Sequence, residues 1–262
     1  MKIGLIFYFS GTGNTRHACQ YIKKHMTNAV LDLYDITQGE LPDLNPYDFF
    51  GFASPADWFD PPLVVKTFIE KLPQQNDKSA FLVNTCAGFS GKSLKTLKSW
   101  VNDQGFKVVG GFTLKAPESY PPYVAKGVTK EKNPVPKNIS QFNNFISNLN
   151  KLFFQNATEP QEGILKIGLI DYLLPRYPRN KSKIEMGKKY IDDTKCNKCG
   201  LCQSVCPYKS VTLNEKPDFN EEKCNGCWVC YNHCKQKAIY TDKIRDKGHY
   251  QGLEKYKQKL KL

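Results

Sequence analysis

Apolar residues in the first half of the chain fall into short unbroken runs, separated by segments with a helical repeat. Ile3–Ser10 is almost wholly apolar, the pattern of a strand buried on both faces. Ala29–Ile36, Asp48–Ser54, Ser79–Cys86 and Phe106–Thr113 predict four more strands, and Asn14–Met26, Pro61–Lys71 and Lys92–Asp103 predict helices between them. That alternation predicts an α/β domain, a doubly wound five-stranded parallel sheet with ligands at the carboxyl ends of its strands. Pro117–Pro136, rich in Pro, Lys and Tyr, reads as a loop. Asn138–Phe154 then carries Ile139, Phe142, Phe145, Ile146, Leu149, Leu152 and Phe153, the spacing of a closing amphipathic helix.

The pattern changes after this helix. A boundary is predicted in Gln155–Glu162. The short apolar run Ile164–Leu174 reads as packing between domains. Arg176–Lys198 reads as a basic connector with eight positive and three negative residues, and the Lys-rich end from Gly252 as a frayed tail. The expected division is therefore 1–155, a linker over 156–189, a small α+β domain over 190–245, and a tail over 246–262.

Composition narrows the possibilities. With 262 residues, 40% hydrophobic and 24% charged, the chain is long enough for two modest cores and too apolar for intrinsic disorder. No apolar run approaches the ~18 residues of a membrane span. Met1–Phe9 runs straight into Ser10-Gly11-Thr12-Gly13 without a cleavage site, so it reads as a buried strand rather than an export signal, which points to a soluble, cytoplasmic protein. Net charge is +13, with +4 in residues 1–150 (16 basic, 12 acidic) and +9 in the remainder (22 basic, 13 acidic). The basic second half predicts acidic protein partners. No recognition module or aromatic-interleaved basic stripe accompanies it, so nucleic acid is not an expected partner.

Eight of the ten cysteines crowd between positions 196 and 234, leaving Cys19 and Cys86 alone as small buried side chains. Lys195-Cys-Asn-Lys-Cys-Gly-Leu-Cys-Gln-Ser-Val-Cys206 returns 28 residues later as Lys223-Cys-Asn-Gly-Cys-Trp-Val-Cys-Tyr-Asn-His-Cys234, and the echo continues from Val211 to Ile239. Zinc sites usually pair C-x2-C units across a longer gap; here three ligands follow at two-residue intervals, a spacing that wraps three corners of an iron–sulfur cubane. The spacing C-x2-C-x2-C-x3-C, given twice, resembles that of bacterial two-cluster ferredoxins. The resemblance implies two four-iron clusters, one held by Cys196, Cys199, Cys202 and Cys234, the other by Cys224, Cys227, Cys230 and Cys206, each fourth thiolate crossing to the other cluster. Pro207 follows the first run, whereas Lys235 follows the second, a departure from the ferredoxin pattern. His233 falls beside the ligands or at the surface.

The first strand ends in Ser10-Gly11-Thr12-Gly13-Asn14-Thr15 just before a helix. Two glycines let amides converge, and three hydroxyls and an Asn amide add donors, a cradle for a terminal phosphate. It is not the dinucleotide fingerprint, because Arg16 stands where the third glycine belongs. The loop resembles that of flavodoxins, which implies bound FMN. Two later loops then fall where a flavin ring would be clasped: Ser54, Pro55, Ala56, Trp58 and Phe59 after strand three, and Thr85, Cys86, Ala87, Gly88 and Phe89 after strand four, with Trp58 the candidate for stacking. His17 and His25 read as helix-surface residues.

Together these features resemble the fusion electron-transfer proteins of anaerobes, in which a flavodoxin-like domain precedes a bacterial-type ferredoxin. The resemblance implies a carrier passing electrons between redox partner proteins; the alternative is an FMN-dependent reductase of a small molecule, fed by its own ferredoxin domain.

Overall fold

A computed structural model of the chain describes residues 1–27, 29–154 and 173–262. β1 (Lys2–Tyr8), β2 (Ala29–Asp35), β3 (Phe49–Pro55), β4 (Lys78–Cys86) and β5 (Phe106–Lys115) form one sheet in the order β2-β1-β3-β4-β5. Every neighbouring pair is parallel. The three central strands are near-continuous apolar runs because both their faces are covered. Along β1, Ile6 and Tyr8 join one core with α1 (Asn14–His25) and α5 (Pro136–Phe154); Leu5 and Phe7 join the other with α2 (Leu63–Ile69) and α3 (Ser93–Asp103). Strand order reverses at β1, so the loops after β1 and β3 flank the crevice where ligands of such sheets bind.

Three sequence expectations change. His17 is 4% exposed rather than on the helix surface, its Nδ1 bonded to the Gly13 carbonyl at 2.9 Å. The loop over Pro117–Pro136 contains a short helix, α4 (Pro121–Val124). The Lys-rich end is not frayed: α9 (Leu253–Lys259) packs Tyr256 and Leu260, both 0% exposed, into the core beside α1. Leu253, Tyr256 and Leu260 recur at helical spacing, so one face is apolar although lysines dominate the composition.

The connector is ordered where it is described. α6 (Lys181–Met186) buries Met186 in a third core, that of a second unit, and Arg179 pairs with Asp60 of the loop after β3. The predicted boundary at Gln155–Glu162 lies outside the described residues, as does Ile164–Leu174 except for Leu173 and Leu174.

The second unit comprises two antiparallel ribbons, β6 (Lys189–Ile191) with β9 (Ile239–Thr241) and β7 (Val211–Leu213) with β8 (Pro217–Phe219), and two short helices, α7 (Leu201–Ser204) and α8 (Val229–His233). Met186, Trp228, Cys230, Tyr231, Ile239 and Ile244 form its core, against which Tyr120 packs. Val229 instead joins the core formed by α2 and α3. The two units therefore share buried apolar surface. Among the described residues, no helix is long and apolar enough to cross a membrane.

Candidate functional site

The loop after β1 is built to leave donors open. Gly13, at φ 96°, is the residue before α1 and adopts a left-handed conformation that glycine takes without steric cost. No side chain caps α1 and its first turn holds no acidic residue. The amides of Gly11 to Thr15 have no acceptor among the described residues. Unsatisfied amides at a helix start, with its positive dipole end, form an anion cradle. The side chains mostly serve the scaffold. Ser10 Oγ accepts from the Arg16 amide at 3.1 Å, and the Thr15 and Thr85 hydroxyls lie 2.9 Å apart. Asn14 donates to the Pro117 carbonyl and accepts from the Tyr250 hydroxyl.

A cleft of about 140 Å³ opens above this loop. A single water needs roughly 10–15 Å³ on a comparable measure, so the cleft has room for an organic ligand. Ser10, Gly11, Thr12, Asn14 and Thr15 line it, with Pro55, Ala56, Trp58, Thr85, Cys86 and Ala87 from the two later loops. Of the remaining residues singled out in the sequence, Gly13 faces Leu253 of α9, and Ser54 is wholly buried beneath the loop, its carbonyl accepting from Asn84. Phe59 packs on Tyr177, Gly88 accepts at its carbonyl from Lys115, and Phe89 is 52% exposed to solvent. None of these five lines the cleft. Trp58 meets Tyr120 and Tyr177 edge-on, at 5.8 and 5.4 Å between ring centroids, and carries the Lys181 ammonium over its face. Cys86 lines the cleft within reach of the Lys115 ammonium, at 3.6 Å.

The rest of the cleft wall comes from parts of the chain not expected there. Asp57 contributes a carboxylate that accepts from the Ser182 hydroxyl of α6; burial raises its pKa above the ordinary value of 3.8. Glu118 is likewise raised by burial, although its Oε1 accepts from the Ser119 and Tyr120 amides. Gly226, Cys227, Trp228, Val229 and Asn232 reach the cleft from the second unit. The contact continues into the anion cradle. His233 Nε2–H donates to the Gly11 carbonyl at 2.9 Å, and a Cβ on Gly11 would lie 3.0 Å from Val229. One local signal existed for this wall: Trp228 replaces, in the second copy of the repeat, the Gly200 of the first.

The eight clustered thiols divide between two cavities. One is lined by Cys196, Cys199, Cys202 and Cys234, the other by Cys206, Cys224, Cys227 and Cys230, so the fourth cysteine of each run stands with the first three of the other. Among the described residues no three His, Cys, Asp or Glu side chains converge as tightly as a single bound ion requires; each set of thiols instead rings a cavity. Backbone amides point at the sulfurs, from Gly226 to Cys224, Ser210 to Cys206 and Ala238 to Cys234 at 3.3–3.4 Å, the donors that stabilise thiolates around an iron–sulfur group. Cys199 is exposed, whereas Cys227 and Trp228 line both the second thiol cavity and the cleft. We call these sets outer and inner.

Comparison with known proteins separates the same two units. A family profile described as a 4Fe-4S dicluster domain matches residues 188–235. The chain is a flavodoxin-like fold joined to a ferredoxin-type domain. The flavodoxin of Haemophilus influenzae is 35% identical over 82 residues, 28% of this chain and 47% of that protein. A flavodoxin of a Nostoc species is 38% identical over 55 residues, 21% of this chain and 32% of that protein. The chain thus spans less than half the length of these curated relatives. Among solved structures, a short-chain flavodoxin associated with a bacterial microcompartment aligns at 15% identity and a TM-score of 0.46, covering 58% of this chain and 99% of that one. The flavodoxin of Fusobacterium nucleatum bound to flavin mononucleotide aligns at 16% identity and a TM-score of 0.44, again over 58% and 99%.

Proposed function

We propose that the chain is an electron-transfer protein in which FMN occupies the cleft and a four-iron cluster occupies each thiol cavity. The observation that carries this reading is the shared wall: Cys227 belongs at once to the cleft and to the inner thiol set. When bound, a flavin takes up two electrons and a cluster one at a time, so the pair couples a one-electron wire to a two-electron store. The protein's own residues set the rest. The amides of Gly11–Thr15 hold the phosphate, the β3 and β4 loops with Trp58 clasp the ring, and the ferredoxin-type domain closes the cleft against water.

The order of transfer follows from exposure. The outer set, with Cys199 at the surface, is where a partner would deliver or withdraw electrons, and the inner set is the relay to the flavin. Lys198, Lys235 and Lys237 are exposed around the outer set, and none pairs with a carboxylate among the described residues. Such a rim favours an acidic partner surface. Residues 253–260 are counted with the flavodoxin-like domain, because Tyr256 and Leu260 complete its core.

Anaerobic purification with iron, acid-labile sulfide and released flavin counted on one sample tests the reading. About eight irons and one FMN per chain are expected. Zinc in place of iron, or no flavin after reconstitution, would overturn it.

A further inference from the structure

The two copies of the cysteine run share a left-handed backbone position just before their helices and carry very different residues there. Gly200, the residue before α7, lies at φ 72°; Trp228, its counterpart before α8, lies at φ 62°. Glycine adopts this left-handed conformation without penalty, but a bulky side chain there is strained. Strain of that kind persists where the surrounding structure holds it, and it collects at functional sites. Nor is the indole placed there for the sake of its polar atom. Trp228 is 4% exposed and its Nε1 has no hydrogen-bond partner among the described residues.

Its position accounts for it. Trp228 lines the cleft and the inner thiol cavity, with Tyr120 and Tyr231 set edge-on to its ring at 5.9 and 5.4 Å. Trp228 therefore stands between the two cavities, with Tyr120 of the cleft wall and Tyr231 of the core packed against its ring.

We propose that Trp228 is a positioning residue, the dry aromatic partition between the inner cluster and the flavin, which keeps water from between them and couples them for electron transfer. This rests on the cofactor reading given above. Each transfer oxidises a reduced inner cluster by one electron and reduces the bound flavin by one; no bond forms at the indole, and the indole is not itself oxidised. In the test the electron comes from an external photoreductant.

Trp228→Gly restores the residue that the first copy carries at this backbone conformation, so the left-handed turn is retained while the ring is removed. Wild type, Trp228→Gly and Trp228→Phe are prepared with iron and flavin counted, then followed by flash photolysis for cluster-to-flavin transfer and by an EPR-monitored redox titration. Trp228→Gly is expected to slow the transfer about 10-fold, the scale seen when residues supporting a metal site are removed. It is also expected to raise the inner-cluster potential by ~59 mV, a tenfold shift in a one-electron equilibrium, because admitted water stabilises the more negative reduced cluster. Trp228→Phe is expected to restore both. Wild-type rate and potential in Trp228→Gly with full cofactor counts would overturn the proposal. Should that variant shed iron, Trp228→Leu decides in its place, and a wild-type rate there overturns the proposal equally. Absence of flavin or clusters from the wild type overturns the cofactor reading instead.

Discussion

In the first copy of the cysteine run, Lys198 and Gly200 occupy left-handed positions at φ 57° and 72°; in the second, Gly226 and Trp228 occupy them at 70° and 62°. Lys198 is exposed, whereas a Cβ on Gly226 would lie 2.3 Å from the Ser182 carbonyl oxygen. Glycine and bulk have exchanged places, and the surroundings explain why. Lys198 stands in solvent, so a long side chain fits at its left-handed position. The inner run is pressed against α6 on one side and the cleft on the other. One duplicated spacing has been adapted to two environments, which the proposed function makes an entrance and a junction.

The sharpest division comes from removing one thiol of each set. Cys227→Ala and Cys199→Ala should each lower the iron content by about half. Both should cut flavin reduction by a protein donor that docks at the outer face, but only Cys227→Ala should abolish transfer to the flavin from an inner cluster reduced directly by a small photoreductant, while FMN stays bound in both. Equal losses with the small photoreductant would erase the distinction between entrance and junction. Next in size is the exchange of bulk. Gly226→Ala should destabilise the protein by about 3 kcal/mol through backbone clash and strain, whereas Lys198→Ala should stay within about 0.5 kcal/mol, as thermal or denaturant unfolding would record.

Reversing the charge at the entrance should act on rate rather than stability. Lys198→Glu with Lys235→Glu should slow association with an acidic redox protein about tenfold at low ionic strength, with the difference vanishing as salt rises. A stopped-flow series that is flat in salt would leave the cationic rim without a role. The smallest effect is expected at the junction. Asp57 is raised by burial above 3.8, so the folded state holds its proton more tightly than the unfolded chain does. Stability that this supplies is present below the unfolded pKa and is lost as pH rises through the folded one. Asp57→Asn should therefore stabilise the apo-protein at neutral pH and make no difference in acid. A melting-temperature gap that widens toward low pH would contradict the sign.

Much of the sheet was legible because its strands are local and apolar on both faces: the predicted ends fall within two residues of those observed, from Lys2–Tyr8 to Phe106–Lys115. The anion loop was legible for a similar reason, since Gly11, Gly13 and their hydroxyl neighbours are contiguous. What could not be read was contact between distant segments. Asp57 meets Ser182, Gly11 meets Val229 and His233, and Asn14 meets Tyr250, each pair more than 100 residues apart. From sequence alone His17 reads as a surface residue, because nothing local shows α9 packed against α1. Tyr256 and Leu260 were hidden differently, by lysines whose abundance outweighed a visible apolar spacing.

The fit of Val229 and His233 against Gly11 sets an order of assembly. A ligand seated on the amides of the first loop lies beneath a roof contributed by residues more than 200 positions later in the chain. It is loaded before that roof closes, or the two domains part to admit it. Under the proposed function, release of the ligand is expected to require parting of Val229 and His233 from Gly11, so its dissociation rate would time that opening.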